Sequence, residues 1–322
     1  DSPNRRLHPM SVIDSPARPA GFRFRLPFAQ NGMSQVIPAL RAYSGLQAMS
    51  RDALFDQEVL GRINSLEIRL ATRARDVRQA QKLRFRVFYD EMSATPNPVT
   101  YLSRRDIDLY DGICHHLTVI DRSLAGSSRP RSGVVGTYRL LRQDLAATHG
   151  GFYTKREFDI GGLLSRHAGL RFLELGRSCV LPAYRDRRTV ELLWHGIWTY
   201  VVRHKIDAMI GCASFEGTNA DRLAMPLSFL HHHAAAPDAW TVQAHPDRYI
   251  EMNRMARDTI DTREAMRALP PLIKGYLRLG AFVGQGAVID RQFCTTDGFI
   301  GLPVASINRR YIEHFGPAAE RH

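Results

Sequence analysis

The sequence has 322 residues, of which 44% are hydrophobic and 24% charged, and its formal net charge is +12. That composition excludes disordered, collagen-like and coiled-coil chains and is large enough for one domain with a full core and a smaller annex. No run of about 18 apolar residues occurs, and the N-terminal stretch carries Arg5, Arg6 and scattered prolines instead of an apolar signal core, so neither export nor a membrane span is expected.

Pro3, Pro9, Pro16, Pro19 and Pro27 punctuate a basic opening, and helical spacing follows over residues 35–61. Residues 1–64 are expected to be a poorly ordered or helical extension. Leu66-Glu67-Ile68-Arg69-Leu70 alternates with period two and predicts a strand, and residues 76–89 have helical spacing. An acidic loop with Asp106, Asp108 and Asp111 comes next, then strands over 117–120 and 134–141 joined by a polar hairpin-like loop at 123–133. A strand over 172–180, a helix over 188–204 with Val190, Trp194, Ile197 and Val201 as its apolar face, and a strand over 208–215 complete a unit at 65–216. This order predicts an α/β class with a mixed central sheet flanked by helices. Residues 217–322 are expected as a C-terminal α/β addition packed on that core, with a helix over 270–279, strands over 287–290 and 299–304, and a short terminal helix near Arg309.

The densest chemical signal is Phe172-Leu173-Glu174-Leu175-Gly176-Arg177-Ser178-Cys179-Val180. Strand alternation sends Glu174 and Arg177 to opposite faces unless a bulge intervenes. A carboxylate and a guanidinium three residues apart amid apolar neighbours mark either a functional site or a purely structural ion pair. The four cysteines are widely separated and read as reduced packing residues, Cys179 included. His231-His232-His233 are consecutive and cannot all face one ion, so no metal site is expected. Trp194 and Trp198 read as core. The net charge predicts an acidic partner, either a protein or an anionic membrane surface. The arginines are dispersed and accompany no nucleic-acid-binding motif, so no nucleic-acid partner is expected.

Arg84-x-x-x-Phe88, Asp106-x-Asp108-x-x-Asp111, Gly136-Thr137-Tyr138-Arg139-Leu140-Leu141 and Glu174-Leu175-Gly176-Arg177 resemble, in order and spacing, the acyl-homoserine-lactone synthases. The stretches Asp111-Gly112-Ile113-Cys114-His115-His116, Gly151-Phe152-Tyr153-Thr154-Lys155-Arg156-Glu157-Phe158 and Pro271-Leu272-Ile273-Lys274-Gly275-Tyr276 are more closely similar to the bacterial L-ornithine Nα-acyltransferases. The resemblance covers residues 65–316 and implies an acetyltransferase-like (GNAT) fold. It also implies a cytoplasmic enzyme, peripheral at the inner membrane, that moves a 3-hydroxy fatty acyl group from acyl carrier protein to L-ornithine and makes lyso-ornithine lipid.

In that reading Glu174 is the base, and the backbone at Val180 and Leu181 faces the oxyanion. Arg84, Phe88, Asp106, Asp108, Asp111, Arg139 and Arg177 line the acceptor side. Tyr184-Arg185-Asp186-Arg187-Arg188-Thr189 stands where coenzyme A enzymes of this fold carry glycines. Its lack of glycine points to phosphopantetheine on acyl carrier protein as the donor arm, with Arg185, Arg187 and Arg188 as docking charges and no permanently bound cofactor. A quorum-signal synthase, another amino-acid N-acyltransferase and a non-enzymatic basic lipid-binding protein are the competing readings.

Overall fold

The alternation at residues 66–70 forms a strand whose Leu66, Ile68 and Leu70 are buried, while Glu67, also buried, is met by Arg62, Arg69 and Arg122. The computed structural model describes residues 59–126, 133–308 and 311. Its strands are β1 (Val59–Ile63), β2 (Leu66–Leu70), β3 (His115–Asp121), β4 (Val134–Arg142), β5 (Phe158–Asp159), β6 (Phe172–Val180), β7 (Ala208–Glu216), β8 (Gln243–Ala244), β9 (Tyr249–Ile250), β10 (Phe282–Asp290) and β11 (Thr295–Pro303). The helices are α1 (Ala74–Phe85), α2 (Pro98–Ser103), α3 (Gln143–Ala147), α4 (Gly161–Arg166), α5 (Arg187–Arg203), α6 (Ala224–His233), α7 (Thr262–Ala268) and α8 (Pro271–Arg278).

Among the described residues the strands join in one sheet of order β1-β2-β3-β4-β6-β7-β11-β10-β8-β5, with β9 beside β10. The pairing is antiparallel except at β6/β7 and β10/β8. A parallel neighbour needs a long crossover, and α5 supplies it between β6 and β7. These two strands pair only across residues 172–174 and 208–210, then part. The fork is tight at its root, because a Cβ on Gly211 would lie 2.5 Å from the Leu175 carbonyl oxygen.

Two apolar layers cover the sheet. On one face Ile68, Leu117, Tyr138, Leu140, Leu173, Leu175, Met209 and Phe215 pack with Leu192, Leu193, Ile197 and Tyr200 of α5. Gly196 lets that helix lie close, since a Cβ there would meet Ile68 Cδ1 at 2.4 Å. On the other face Leu141, Phe172, Ile210, Phe282, Val288 and Phe299 pack with Phe152, Phe158 and Leu163.

Several expectations change in detail. Residues 1–58 lie outside the described residues, as do 127–132 of the polar loop and, apart from Tyr311, the terminal helix near Arg309. Residues 59–61, placed at the end of a helix by spacing, belong to β1 and pair with β2. The helix expected over 76–89 is α-helical only to Phe85 and continues as a π-helical turn, Arg86–Glu91. The buried face of α5 includes Thr189, Leu192, Leu193, Gly196, Ile197, Tyr200 and Val201, whereas Val190 is 48% exposed because its side chain points away from that face. The C-terminal residues extend the sheet itself, since β11 pairs with β7 along its whole length.

Candidate active site

β6 carries Phe172 into one apolar layer and Leu173 and Leu175 into the other, which places Glu174 on the Phe172 face. A bulge then resets the alternation. Thr137 of β4 faces Cys179 and Arg139 faces Gly176, so Tyr138 alone stands against Arg177 and Ser178. Arg177 adopts φ +51°, the left-handed region that L-residues other than glycine seldom occupy. Its guanidinium meets Asp106 at 3.4 Å and Asp108 at 3.3 Å and stacks on Phe293 and Tyr153, with centroids 4.4 and 5.0 Å away. Glu174 is held by other groups, so the strand pair suggested by the sequence is replaced by two separate sets of partners.

The first set is an alternating charge network. Arg84 of α1 bonds Asp106 and Asp111, each at 2.8 Å, and Gln81 donates to Asp111 at 3.0 Å. Arg139 of β4 bonds Asp108 at 2.6 Å and Asp111 at 3.2 Å. Three guanidinium groups thus meet three carboxylates. Burial alone would raise the Asp108 and Asp111 carboxyls, but the arginines outweigh it and hold both below the usual carboxylate range. Asp108 also caps the turn Leu109–Gly112 by accepting from the Tyr110 and Asp111 amides. Arg84, Asp106, Asp111 and Arg139 are buried, whereas the side chains of Arg177 and Asp108 keep 13% and 21% of their surface open. Those two can therefore meet a small molecule, and the other four position them. Phe88 is half-buried and packs edge-on against Phe293.

The second set surrounds Glu174, which is 5% exposed and accepts hydrogen bonds from the backbone amides of Tyr153 at 2.9 Å and Thr154 at 2.6 Å. Burial raises its pKa, and the hydrogen bonds from Thr154 and Tyr153 oppose that rise. A carboxylate so placed, at the root of a strand fork, is held in one preferred orientation by a backbone amide on each oxygen. Val180 ends β6 opposite Gly136, and its carbonyl accepts from Arg185 Nε at 3.0 Å. The Leu181 amide donates to the Val135 carbonyl at 2.9 Å, which removes it as an oxyanion donor.

Arg185 also forms a two-pronged pair with Glu91 at 2.5 and 2.8 Å. Arg187 and Arg188 are exposed at the start of α5 beside Glu191 and Asp186, and Asp186 caps the helix through the Thr189 amide at 2.9 Å. Cys179 is buried, which pushes its thiol up to about 12, so it packs and does not react at neutral pH. His232 donates from Nε2 to the Met255 carbonyl, 3.0 Å away, and His233 stacks on Phe229.

Sequence reasoning missed a third feature on this face. Carboxylate oxygens of Glu157, Asp290 and Asp297 lie within 4.8 Å of one another, all buried. Burial, reinforced by Asp297, pushes Glu157 up to about 7, and burial pushes Asp297 up to about 6. Among the described residues this is the group whose ligand atoms are close enough to share one cation. The signal that could have found it is strand alternation. Asp297 is in phase with Phe299 and Asp290 with Val288, both on the Glu174 face, and Glu157 directly precedes the buried Phe158.

Residues 83–195 match the family model of the acetyltransferase (GNAT) domain. An L-ornithine N(alpha)-acyltransferase of Agrobacterium fabrum is 51% identical over 272 residues, covering 84% of this chain and 92% of the relative. The protein of the same description from Rhizobium meliloti is 53% identical over 264 residues, covering 82% and 88%. That of Brucella abortus is 49% identical over 282 residues, covering 86% and 99%. With the forked β6/β7 pair, the glutamate at its root and relatives of this identity along most of their length, the chain belongs to the L-ornithine Nα-acyltransferase family and is an acyltransferase of the GNAT fold.

Proposed function

We propose that this protein transfers a fatty acyl group from acyl carrier protein to the α-amine of L-ornithine, producing lyso-ornithine lipid. The observation that carries this reading is Glu174, a buried carboxylate held by two backbone amides at the root of the β6/β7 fork. The acyl thioester enters the fork, where residues 175–180 are unpaired with β7. The amine nitrogen attacks the thioester carbonyl carbon and a C–N bond forms. The nitrogen gives up a proton to Glu174, directly or through one water, and the C–S bond breaks. The departing thiolate takes up that proton from Glu174, directly or through water, which returns the carboxylate and leaves one amide and one free thiol.

A carrier-protein donor is supported by the glycine-free run at Tyr184-Arg185-Asp186-Arg187-Arg188-Thr189 and by exposed Arg187 and Arg188 at its end. Glycines at this place would let backbone amides cradle a pyrophosphate, and phosphopantetheine carries a single phosphate. The net charge of +12 suits both an acidic carrier protein and peripheral binding to the anionic inner-membrane surface, where an amphiphilic product would be released. Among the described residues no helix is long and apolar enough to cross a membrane.

Thiol release measured with 3-hydroxyacyl carrier protein, with the matching acyl-coenzyme A, and with L-ornithine present or absent tests the proposal. The expected result is ornithine-dependent release with a much higher specificity constant for the carrier-protein donor, eroded by added salt. Equal use of acyl-coenzyme A with no salt effect would refute the donor assignment. Absence of ornithine-dependent release would refute the function.

A further inference from the structure

We propose that Glu157, Asp290 and Asp297 form the subsite for the side-chain ammonium of the acceptor, and that they make the enzyme selective for a diamino acid. This rests on the reading that the acceptor is L-ornithine. Charge distribution is the first argument. The network of Arg84, Arg139 and Arg177 with Asp106, Asp108 and Asp111 is balanced, three against three. The trio is not. Arg248 Nη1 stands 3.9 Å from Glu157 and donates to the Arg156 carbonyl at 3.1 Å, and Arg177, already shared with Asp106 and Asp108, favours the Asp297 carboxylate. Asp290 Oδ1 accepts from the Gln292 and Phe293 amides, which are neutral donors.

The second argument is the set of buried polar atoms without hydrogen-bond partners. Glu157 Oε2, Asp297 Oδ1 and the hydroxyl of Thr295 all lack one, and Glu157, Asp297 and Thr295 are at most 5% exposed. Thr295 carries no charge and is in phase with Asp297 on β11, and its hydroxyl and that of Ser214 favour the Asp297 carboxylate, so the buried acceptors sit together with hydroxyl groups at one place. An ammonium offers three donors and no acceptor, which matches three carboxylates and a hydroxyl. A buried carboxylate is unfavourable until a cation reaches it, so the bound ammonium gains most of the interaction that the empty site lacks.

The third argument is location. The turn Tyr153–Arg156 serves both acidic sites, because the Thr154 amide holds Glu174 at 2.6 Å while the Thr154 carbonyl accepts from the Glu157 amide at 3.0 Å. Cys212 of β7 lies against Thr154, with its sulfur 3.7 Å from the Thr154 hydroxyl. One short aliphatic chain can therefore carry two amines, one toward Glu174 and one toward the trio. A lone metal ion would not require this adjacency.

The test is calorimetric titration of the full chain with L-ornithine and with L-norvaline, which has the same carbon skeleton and lacks the side-chain amine. Wild type, Glu157→Gln and Asp297→Asn are compared, alongside the thioester assay. The wild type should bind L-ornithine roughly 10- to 100-fold more tightly than L-norvaline, and either variant should lose most of that difference with L-norvaline binding unchanged. Retention of the wild-type preference in both variants would overturn the proposal. So would magnesium or calcium binding by the wild type that is lost in the variants, combined with an ornithine preference abolished by a chelator. If L-ornithine and L-norvaline are acylated equally well, the subsite is refuted while the transferase reading stands. If L-ornithine binds with the expected preference and no acylornithine forms, the transferase reading fails and the subsite stands.

Discussion

Replacing Glu157 with glutamine should stabilise the protein at pH 8 and leave it unchanged near pH 4. Glu157 is buried beside Asp297, with Asp290 also close, and its pKa rises from 4.5 to about 7 in the folded state. The folded protein then holds a proton that the unfolded chain releases at lower pH. The stabilisation from that proton is complete below about pH 4.5 and is lost as pH rises through 7. The rise corresponds to about 3 kcal/mol. Glutamine keeps the shape, removes the ionisation and offers an amide N–H to the unpaired Asp297 oxygen. The variant should therefore exceed the wild type by about 3 kcal/mol at pH 8, or roughly 6 to 12 °C in Tm for a chain of this size. Urea unfolding of both proteins at pH 4, 6 and 8 measures the difference. A gap between the two that is the same at all three pH values, or a variant less stable than wild type at pH 8, would refute the reasoning.

Arg84→Met removes the cation shared by Asp106 and Asp111 and should cost about 3–5 kcal/mol in denaturant unfolding, with wild-type stability contradicting the network. Gly211→Ala places a Cβ against the Leu175 carbonyl and should cost about 1–3 kcal/mol, with turnover falling as the fork is wedged. Unchanged melting and turnover would show that the fork root is not tight. Glu174→Gln retains one oxygen acceptor for the Tyr153 and Thr154 amides, so it should lose about 1 kcal/mol of stability. Its turnover should fall ~10²-fold or more, and wild-type turnover would remove Glu174 from the mechanism.

The outline of the fold was legible because local patterns agree with it. Period-two alternation marks β2, and the spacing of Trp194, Ile197 and Val201 marks α5. The bulge at Arg177 was not legible, because it depends on Tyr138 of another strand standing against two residues. The motif residues Arg84, Asp106, Asp108, Asp111, Arg139 and Arg177 were legible as a set, but spacing cannot tell which groups close on each other and which stay open. In the structure Arg177 and Asp108 remain partly open. The Glu157, Asp290 and Asp297 trio was invisible because its members come from a turn and two strands distant in sequence, and each reads alone as an ordinary surface carboxylate. The sheet's continuity through β10 and β11 was underestimated for a related reason. Their glycines, Gly284, Gly286, Gly298 and Gly301, weaken the strand pattern although the backbone ladder is long.

The site of acylation tests the account most directly. With acyl carrier protein as donor, tandem mass spectrometry of the product from L-ornithine distinguishes an amide at the α-nitrogen from one at the side-chain nitrogen. The trio holds the side-chain amine as its ammonium, a form that cannot attack, and Glu174 accepts the proton of the other amine. The account therefore predicts Nα-acylornithine alone, with one thiol released per amide formed. A product acylated on the side-chain nitrogen, or thiol release with no amide, would contradict it.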